Sequence, residues 1–421
     1  MDSAEVAASA LPGASAFPTE SRNPFRTPAY RAYFAAVICG AMGVGIQVVT
    51  VPLFIRDRVS ADNRELLIGL ALICQLLPQA LLILVGGVAA DRLERQKIMV
   101  RVWLIAALVS VTYVVLTGLD VSVIWPVFIL GAVIGSLDAF GQPARFSMPP
   151  QILPQLQVQN GLILNTVAFM AAFQFLGPSV GGIIADIFSL QVAFGAEVLF
   201  LLGGALLALR IKVPRPVPTG KSIFGDLKDG VSYVRRSRVI LALLSMQLIP
   251  GFLLIAPFRV TLVSMVNDVM GESDTFVGLM SGGFGIGALI GSMVLTTLVI
   301  RRRGLLLTAA FVPGGLIFLA YGFSENVWLS LSLMFLWGLG AAVSINMVTP
   351  LLQENAEPAL FGRVMSVSSL CFATSLPLGF AVSSVVSTIW SPQASVISSG
   401  LIVVMLGVVA TALLRPVTRL R

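Results

Sequence analysis

Residues 66–97 read LLIGLALICQLLPQALLILVGGVAADRLERQK, an uncharged apolar run that ends abruptly in a charged segment. Residues 66–90 contain leucine, isoleucine, valine and alanine in abundance and no charged side chain. About 20 helical residues cross a bilayer core of roughly 30 Å, so a run of this length predicts a membrane-spanning helix. The charged residues from Asp91 to Lys97 indicate that the chain returns to water there.

Similar apolar runs continue along the whole chain. The predicted spans are residues 32–55, 66–90, 98–118, 122–146, 160–185 and 190–211, then 239–266, 275–300, 304–323, 327–352, 362–390 and 393–414. Lipid offers the backbone no hydrogen-bond partners, so a spanning segment is a helix or a strand of a closed barrel. Barrel strands alternate apolar and polar residues, and these runs do not. The sequence therefore predicts an all-α membrane protein with twelve transmembrane helices in two groups of six.

The composition agrees with a chain that faces lipid. Of the 421 residues, 57% are hydrophobic and 11% are charged, whereas a soluble domain carries roughly 25% charged residues. Histidine is absent, and Cys39, Cys74 and Cys371 lie inside apolar runs without paired spacing. The sequence therefore predicts neither a metal site nor a disulfide framework. No span pairs a nucleophile with a base, which argues against an enzyme.

The polar segments divide the chain into five predicted parts. These are a disordered cytoplasmic tail at 1–29, an N-terminal six-helix bundle at 30–211, a cytoplasmic linker with an amphipathic surface helix at 212–238, a C-terminal six-helix bundle at 239–414 and a cytoplasmic tail at 415–421.

The distribution of basic residues predicts the orientation. If both termini are cytoplasmic, the loops on that side hold most of the 27 lysines and arginines, and the outer loops hold only Arg56, Arg58 and Arg64. Basic residues of membrane proteins concentrate in cytoplasmic loops. The net charge of +7 is explained by these loops, and no nucleic-acid partner is predicted.

The segment between the second and third spans is a motif in its own right. It reads Gly87-Val-Ala-Ala-Asp91-Arg92-Leu-Glu94-Arg95-Gln-Lys97 and resembles the signature loop of the major facilitator superfamily, with Glu94 in place of the usual glycine. We expect the glycine to allow a tight connection and the carboxylate to face the N-terminus of a neighbouring helix. The arginines are expected to hold the loop at the anionic leaflet.

A second motif lies in the fifth span. Gly177-Pro178-Ser-Val-Gly181-Gly182 resembles the Gly-Pro-x-x-Gly-Gly motif of antiporters in this superfamily, although Phe173 stands where the longer pattern has a glycine. Proline kinks a helix and glycines allow close packing. An antiporter signature and a purely structural kink both remain open.

Three further segments resemble the bacterial enterobactin-exporter branch of the superfamily. They are residues 225–236 (GDLKDGVSYVRR), 361–366 (FGRVMS) and 142–145 (QPAR). The resemblance implies two six-helix bundles around a central cavity, a bacterial inner-membrane location and a monomer surrounded by lipid. It also implies a proton-coupled secondary transporter that exports a small amphipathic or chelating molecule, such as a drug or a siderophore, without a cofactor. An importer, a lipid translocator and a scaffold or sensor that moves nothing are the alternatives.

Charged residues inside a span are costly and therefore suggest function. Asp138 shares a helix face with Gln142 and Arg145, and is either a gate residue that pairs with Arg95 or Arg145 or a proton site. Glu197 and Arg259 either pair with each other between the two halves or bind substrate or a proton.

With histidine absent, a buried carboxyl group is the expected proton carrier, since desolvation favours its neutral form; Glu197 is favoured over Asp138. The uncharged polar residues expected to line the cavity or to join helices are Gln47, Gln75, Gln79, Asn165, Gln174, Gln247 and Asn346.

Overall fold

The structure is a computed structural model that describes residues 23–211, 233–235, 237–357, 360–418 and 420. Within this part of the chain, twelve helices are long and apolar enough to cross a membrane. They are α1 (Pro28–Arg56), α2 (Ala61–Arg92), α3 (Arg95–Gly118), α4 (Trp125–Phe146), α5 (Gln155–Ile187), α6 (Leu190–Leu209), α7 (Arg238–Val269), α8 (Asp274–Thr297), α9 (Arg303–Phe323), α10 (Val327–Asn355), α11 (Phe361–Ile389) and α12 (Pro392–Leu413). The predicted all-α architecture of twelve membrane helices is confirmed.

The two halves of the chain repeat the same local geometry. α6 and α12, the last helix of each half, both begin after a serine cap. The hydroxyl oxygen of Ser189 accepts the backbone N–H of Val192 at 3.2 Å, and that of Ser391 accepts the N–H of Ala394 at 3.0 Å. A cap of this kind satisfies one of the free amides at a helix start. The repeat, which is faint in the amino-acid sequence, is therefore visible in the backbone.

Contacts within each half hold it together, and a few helices join the halves. In the first half α2 packs on α4 and α6 packs on α1 and α3, while in the second half α8 packs on α10 and α9 on α12. Across the halves, α2 packs on α11 and α5 on α8. An aromatic cluster fills the core of the second half, where Trp337 lies 4.4 Å from Phe284 and 5.3 Å from Phe258 between ring centroids.

Both α5 and α7 contain a widened π-helical turn just before a proline. The turn in α5 spans Ala171–Leu176 ahead of Pro178, and the turn in α7 spans Gly251–Ile255 ahead of Pro257. Proline lacks an N–H and its ring displaces the preceding carbonyl groups, and a wider turn accommodates both effects. These two helices therefore bend where the sequence places proline.

One element boundary differs from the sequence prediction in a way that matters. α2 continues to Arg92, because the N–H of Leu93 still donates to the carbonyl of Ala89 at 2.8 Å. Asp91 and Arg92 thus belong to the last turn of α2, and the connection to α3 consists of Leu93 and Glu94. The predicted tail at 1–29 lies mostly, and the amphipathic linker at 212–238 almost entirely, outside the described residues.

Candidate functional site

An ion-paired network joins the two halves at one end of the molecule. We call the end where α1 begins and α12 ends the terminal end, and the end with the α1–α2 turn the opposite end. At the opposite end, the Arg56 guanidinium forms a salt bridge with Asp274 at the start of α8. It also donates to Oδ1 of Asn267 at 2.8 Å, and Asn267 Nδ2 donates to Oδ1 of Asp274 at 3.2 Å. One arginine of the first half is therefore held by two residues of the second.

Further bonds extend this closure across the same end. Arg64 pairs with Asp268, and the hydroxyl of Ser264 donates to the carboxylate of Glu65. On the other flank, Oδ2 of Asp186 accepts from Ser273 at 2.8 Å and from Thr275 at 2.6 Å. Among residues whose side chains are described, every side-chain hydrogen bond between the halves lies at the opposite end.

Sequence reasoning missed this closure. Its partners are far apart in sequence, from 87 positions between Asp186 and Ser273 to 218 between Arg56 and Asp274. One signal was available, namely that Arg56 and Arg64 stand on the side of the membrane that otherwise avoids basic residues. Acidic residues on the same side, such as Asp268 and Asp274, pair with these arginines and offset the cost of placing basic residues there.

The glycines of the Gly177-Pro178-Ser-Val-Gly181-Gly182 motif form tight helix contacts near the opposite end. A Cβ atom on Gly177 would lie 2.6 Å from the Cα of Gly45 in α1, and one on Gly181 would lie 3.2 Å from Ile46. A Cβ on Gly182 would lie 2.6 Å from the carbonyl oxygen of Asp274 in α8. Pro178, between them, is the second residue of the regular helix that follows the π turn. The motif therefore packs α5 on α1 and on α8 of the other half.

At the terminal end, Arg95 holds the connection after α2. Its Nε donates to the carbonyl of Ala90 at 3.0 Å and its Nη1 donates to the carbonyl of Ser147, at the end of α4, at 2.6 Å. Arg92 is exposed. The side chain of Asp91 lies outside what the structure describes, so its predicted contact with a helix N-terminus stays a prediction.

The close approach of α2 to α4 falls on a glycine other than the predicted one. A Cβ on Gly87 would meet no atom within 4 Å, whereas a Cβ on Gly86 would lie 1.9 Å from the carbonyl oxygen of Ala139. Helix α2 continues through both positions, so Gly87 makes no tight connection. The expectation that Gly87 makes one is wrong, and Gly86 carries the packing requirement.

Asp138 lies on α4 about 12 Å from its terminal end, at 1.5 Å per residue. It is partly buried and interacts electrostatically with Arg145, but it forms no direct ion pair with Arg95 or Arg145. Arg145 is stacked 3.8 Å above the ring of Phe169 in α5, and its Nε has no hydrogen-bond partner. The predicted pair of Asp138 with Arg95 or Arg145 is thus not formed in this conformation.

Glu197 lies inside the first half and away from Arg259. Its side chain is 1% exposed in the α3–α6 contact, where its Oε1 accepts from Ser110 Oγ at 2.6 Å and its Oε2 has no partner. Tyr113 and Phe194 stack beside it, 4.8 Å between ring centroids. The alternative in which Glu197 and Arg259 pair between the halves is therefore wrong.

Arg259 lies in α7 without a partner. Its side chain is partly buried and forms no hydrogen bond, ion pair or ring contact with a described residue. Both neighbours in the chain are buried: Phe258 in the aromatic core and Val260 beside Phe380. Arg259 points away from both of these packed faces, at 100° per residue around the helix.

Some of the uncharged polar candidates form hydrogen bonds that link two helices, and others form none with a described residue. Ser368 donates to Gln247 at 2.7 Å, and Asn346 donates to Ser292 at 2.9 Å, so these two amides link helices of the second half. Asn165 is completely buried, and neither atom of its amide group has a partner. The remaining candidates form no side-chain hydrogen bond with a described residue; they are Gln47, Gln75, Gln79 and Gln174.

The chain matches the Major Facilitator Superfamily over residues 33–379 and again over 261–420, so it belongs to that family of membrane transporters. Enterobactin exporter EntS of Shigella boydii is 24% identical over 404 residues, which cover 94% of each chain. Macrolide efflux protein A of Enterococcus faecalis is 23% identical over 70% of this chain and 92% of its own length.

The crystal structure of a D-xylose-proton symporter has the same fold. It superposes with a TM-score of 0.71 at 14% identity, over 94% of this chain and 98% of that one. At this identity the likeness concerns the fold. The twelve-helix architecture of the superfamily is therefore shared by proteins named for different substrates.

Proposed function

We propose that the protein is a proton-coupled exporter of a small amphipathic or chelating compound, a drug or a siderophore, that works by alternating access. Family membership supports transport. Two relatives named for efflux, one of macrolides and one of enterobactin, support the direction. The cell's inner membrane, with both termini in the cytoplasm, is the proposed location because the basic loops lie at the terminal end.

The observation that carries this proposal is the closure of the opposite end. Arg56, Arg64, Glu65 and Asp186 all bond to the second half at the opposite end. With the termini in the cytoplasm, this conformation is closed to the outside. Transport then requires the halves to part at the opposite end and to meet at the terminal end, as in alternating access.

Asp138 is the proton carrier that the geometry favours. Glu197 has no exposure through which a proton or a substrate can reach it and already accepts a bond from Ser110. Asp138 is partly exposed and interacts electrostatically with Arg145, whose Nε has no hydrogen-bond partner. We therefore place proton exchange at Asp138 and assign Glu197 to the interior of the first half, the reverse of the order favoured from sequence.

Protonation of Asp138 gives the two conformations different energies. A charged Asp138 attracts Arg145 away from Phe169, whereas a neutral Asp138 leaves Arg145 on the aromatic ring. Since α4 and α5 carry these residues, the charge state favours one arrangement of the two helices over the other. An equilibrium shifts only by such a difference in interaction free energy between its states.

Efflux from proteoliposomes tests the proposal. Radiolabelled erythromycin and an iron-free catechol siderophore are loaded into separate vesicles, and the release of each compound is followed with and without an imposed pH gradient. We expect at least one compound to leave faster when the external solution is acidic, and collapse of the gradient by an ionophore to remove the difference. Release of both compounds that ignores the gradient would contradict proton coupling.

A further inference from the structure

Arg259 is a membrane-embedded charge that the proposed proton exchange does not use. It lies ten residues before the end of α7 at Val269, about 15 Å along the helix axis. Arginine does not lose its proton in proteins, so a positive charge persists at this depth. Charges in spans face a bundle interior or a water-filled cavity rather than lipid. A fixed cation therefore stands inside the helix bundle, away from lipid.

The closure at the opposite end begins just beyond Arg259. Ser264, five residues further along α7, donates to Glu65 of α2. At 1.5 Å per residue, this bond lies about 7.5 Å from Arg259 along the axis. Arg259 therefore lies on the terminal side of the closure, where a compound that enters from that side would stop.

Among the described residues of the second half, no aspartate or glutamate forms an ion pair with Arg259. Between Val239 and Asn267, α7 carries no aspartate or glutamate. In the first half, Glu197 is enclosed with Ser110 and Asp138 faces Arg145. An unpaired charge in a low-dielectric interior is costly, so an anionic group bound beside Arg259 would stabilise it.

We infer that Arg259 binds the anionic group of the transported compound, a carboxylate, sulfonate or acidic phenolate attached to an apolar body. A guanidinium offers two parallel N–H donors that match such groups. That the bound anion is transported rests on the proposed export function. The binding of an anion at Arg259 does not depend on that proposal. The same chemistry has two sources, a soluble organic anion or the headgroup of an anionic lipid.

A matched pair of fluorescent probes tests anion binding directly. Dansylglycine carries a carboxylate, and dansylglycinamide replaces it with a neutral amide of the same shape. Binding of each to purified full-length protein in phosphatidylcholine nanodiscs is measured at one pH and without a gradient. We expect wild type to bind dansylglycine at least tenfold more tightly than the amide.

Three variants locate the preference. Arg259→Gln is expected to bind the two probes equally, and Arg259→Lys to keep a reduced preference because it keeps the charge. Arg303→Gln, which removes an arginine that pairs with Glu354 at the terminal end, serves as the control and is expected to keep the full preference. Equal binding of the probes by wild type, or an unchanged preference in Arg259→Gln, would overturn the inference.

A second arm separates the two sources of the anion. Native mass spectrometry counts phosphatidylglycerol molecules retained by wild type and by Arg259→Gln from mixed nanodiscs. If wild type prefers dansylglycine and both proteins retain the lipid equally, the ligand is a soluble anion. If wild type alone retains the lipid, the ligand is a lipid headgroup. An intact anion preference together with gradient-independent efflux would overturn only the proposed proton coupling.

Discussion

At the scale of single residues, two buried carboxyl groups of the first half differ in what surrounds them. Glu197 is sealed between α3 and α6 with one bond from Ser110. Asp138 is partly exposed and faces Arg145 without a direct bond. Burial alone does not distinguish a proton carrier from a structural group, whereas access and a charged partner do.

This difference predicts opposite outcomes for two isosteric variants. Asp138→Asn should lower the gradient-dependent rate of efflux about tenfold or more, because the group that exchanges the proton is gone. A tenfold change corresponds to about 1.4 kcal/mol. Glu197→Gln should keep the gradient-dependent rate, because a neutral amide can still accept from Ser110. The proteoliposome assay measures both. A full pH response in Asp138→Asn would refute the assignment of the carrier.

Asp91 belongs to a second prediction at this scale. Asp91→Asn should lower transport far more than expression, because one charge at the end of α2 is expected to fasten one conformation. Such a coupling amounts to about 1–3 kcal/mol. Transport is normalised to the amount of protein in the membrane, and Arg101→Gln, at an exposed position of α3 outside the signature loop, is the control. Wild-type transport by Asp91→Asn would show that this charge has no conformational role.

At the scale of helices, the closed end depends on backbone contact between α5 and α8. A Cβ on Gly182 would lie 2.6 Å from the carbonyl of Asp274, and a Cβ on Gly278 would lie 2.4 Å from that of Pro178. These distances leave no room for a side chain, so the two glycines set the separation of the halves. The antiporter-like motif thus acts through packing at the junction that has to open.

Gly182→Val should therefore loosen the closed end. Overpacking of a tight contact costs about 1–3 kcal/mol, and the cost falls on the closed conformation alone. A cysteine at Ser179, which is 7% exposed in the α5–α8 contact, should react faster with a water-soluble maleimide in this variant. Gly203→Val is the control, because a Cβ there meets no atom within 4 Å. Equal labelling rates in the two variants would contradict the packing role.

The helices were predictable from sequence because each is one continuous apolar run. The candidate site was not predictable in this way. A run such as 66–90 gives length and depth, but the face on which a residue points depends on packing. Glu197 in α6 and Arg259 in α7 lie at similar depth on two consecutive helices, yet their side chains face different interiors. For the same reason sequence selected Gly87, whereas the contact with Ala139 falls on Gly86.

At the scale of the whole molecule, the opposite end is closed by pairs of residues that are distant in sequence and that only the fold brings together. Arg56 and Asp274 are 218 positions apart, and each alone reads as a charge at the end of a span. Their pairing across the halves ties the ends of α1 and α8. Opening of this end requires that these bonds break, so the proposed cycle has a defined structural change to measure.

Distances between spin labels at the two ends test alternating access most directly. One labelled pair, at the exposed positions Ser60 and Glu325, reports on the opposite end, and a second pair, at Gln155 and Arg301, reports on the terminal end. Both are measured by double electron–electron resonance in nanodiscs at pH 8 and pH 5, with the three native cysteines replaced. The account predicts that acidification, which leaves Asp138 neutral and Arg145 on Phe169 as in this structure, shortens the first distance and lengthens the second. Distances that stay fixed, or that change in the same direction at both ends, would contradict it.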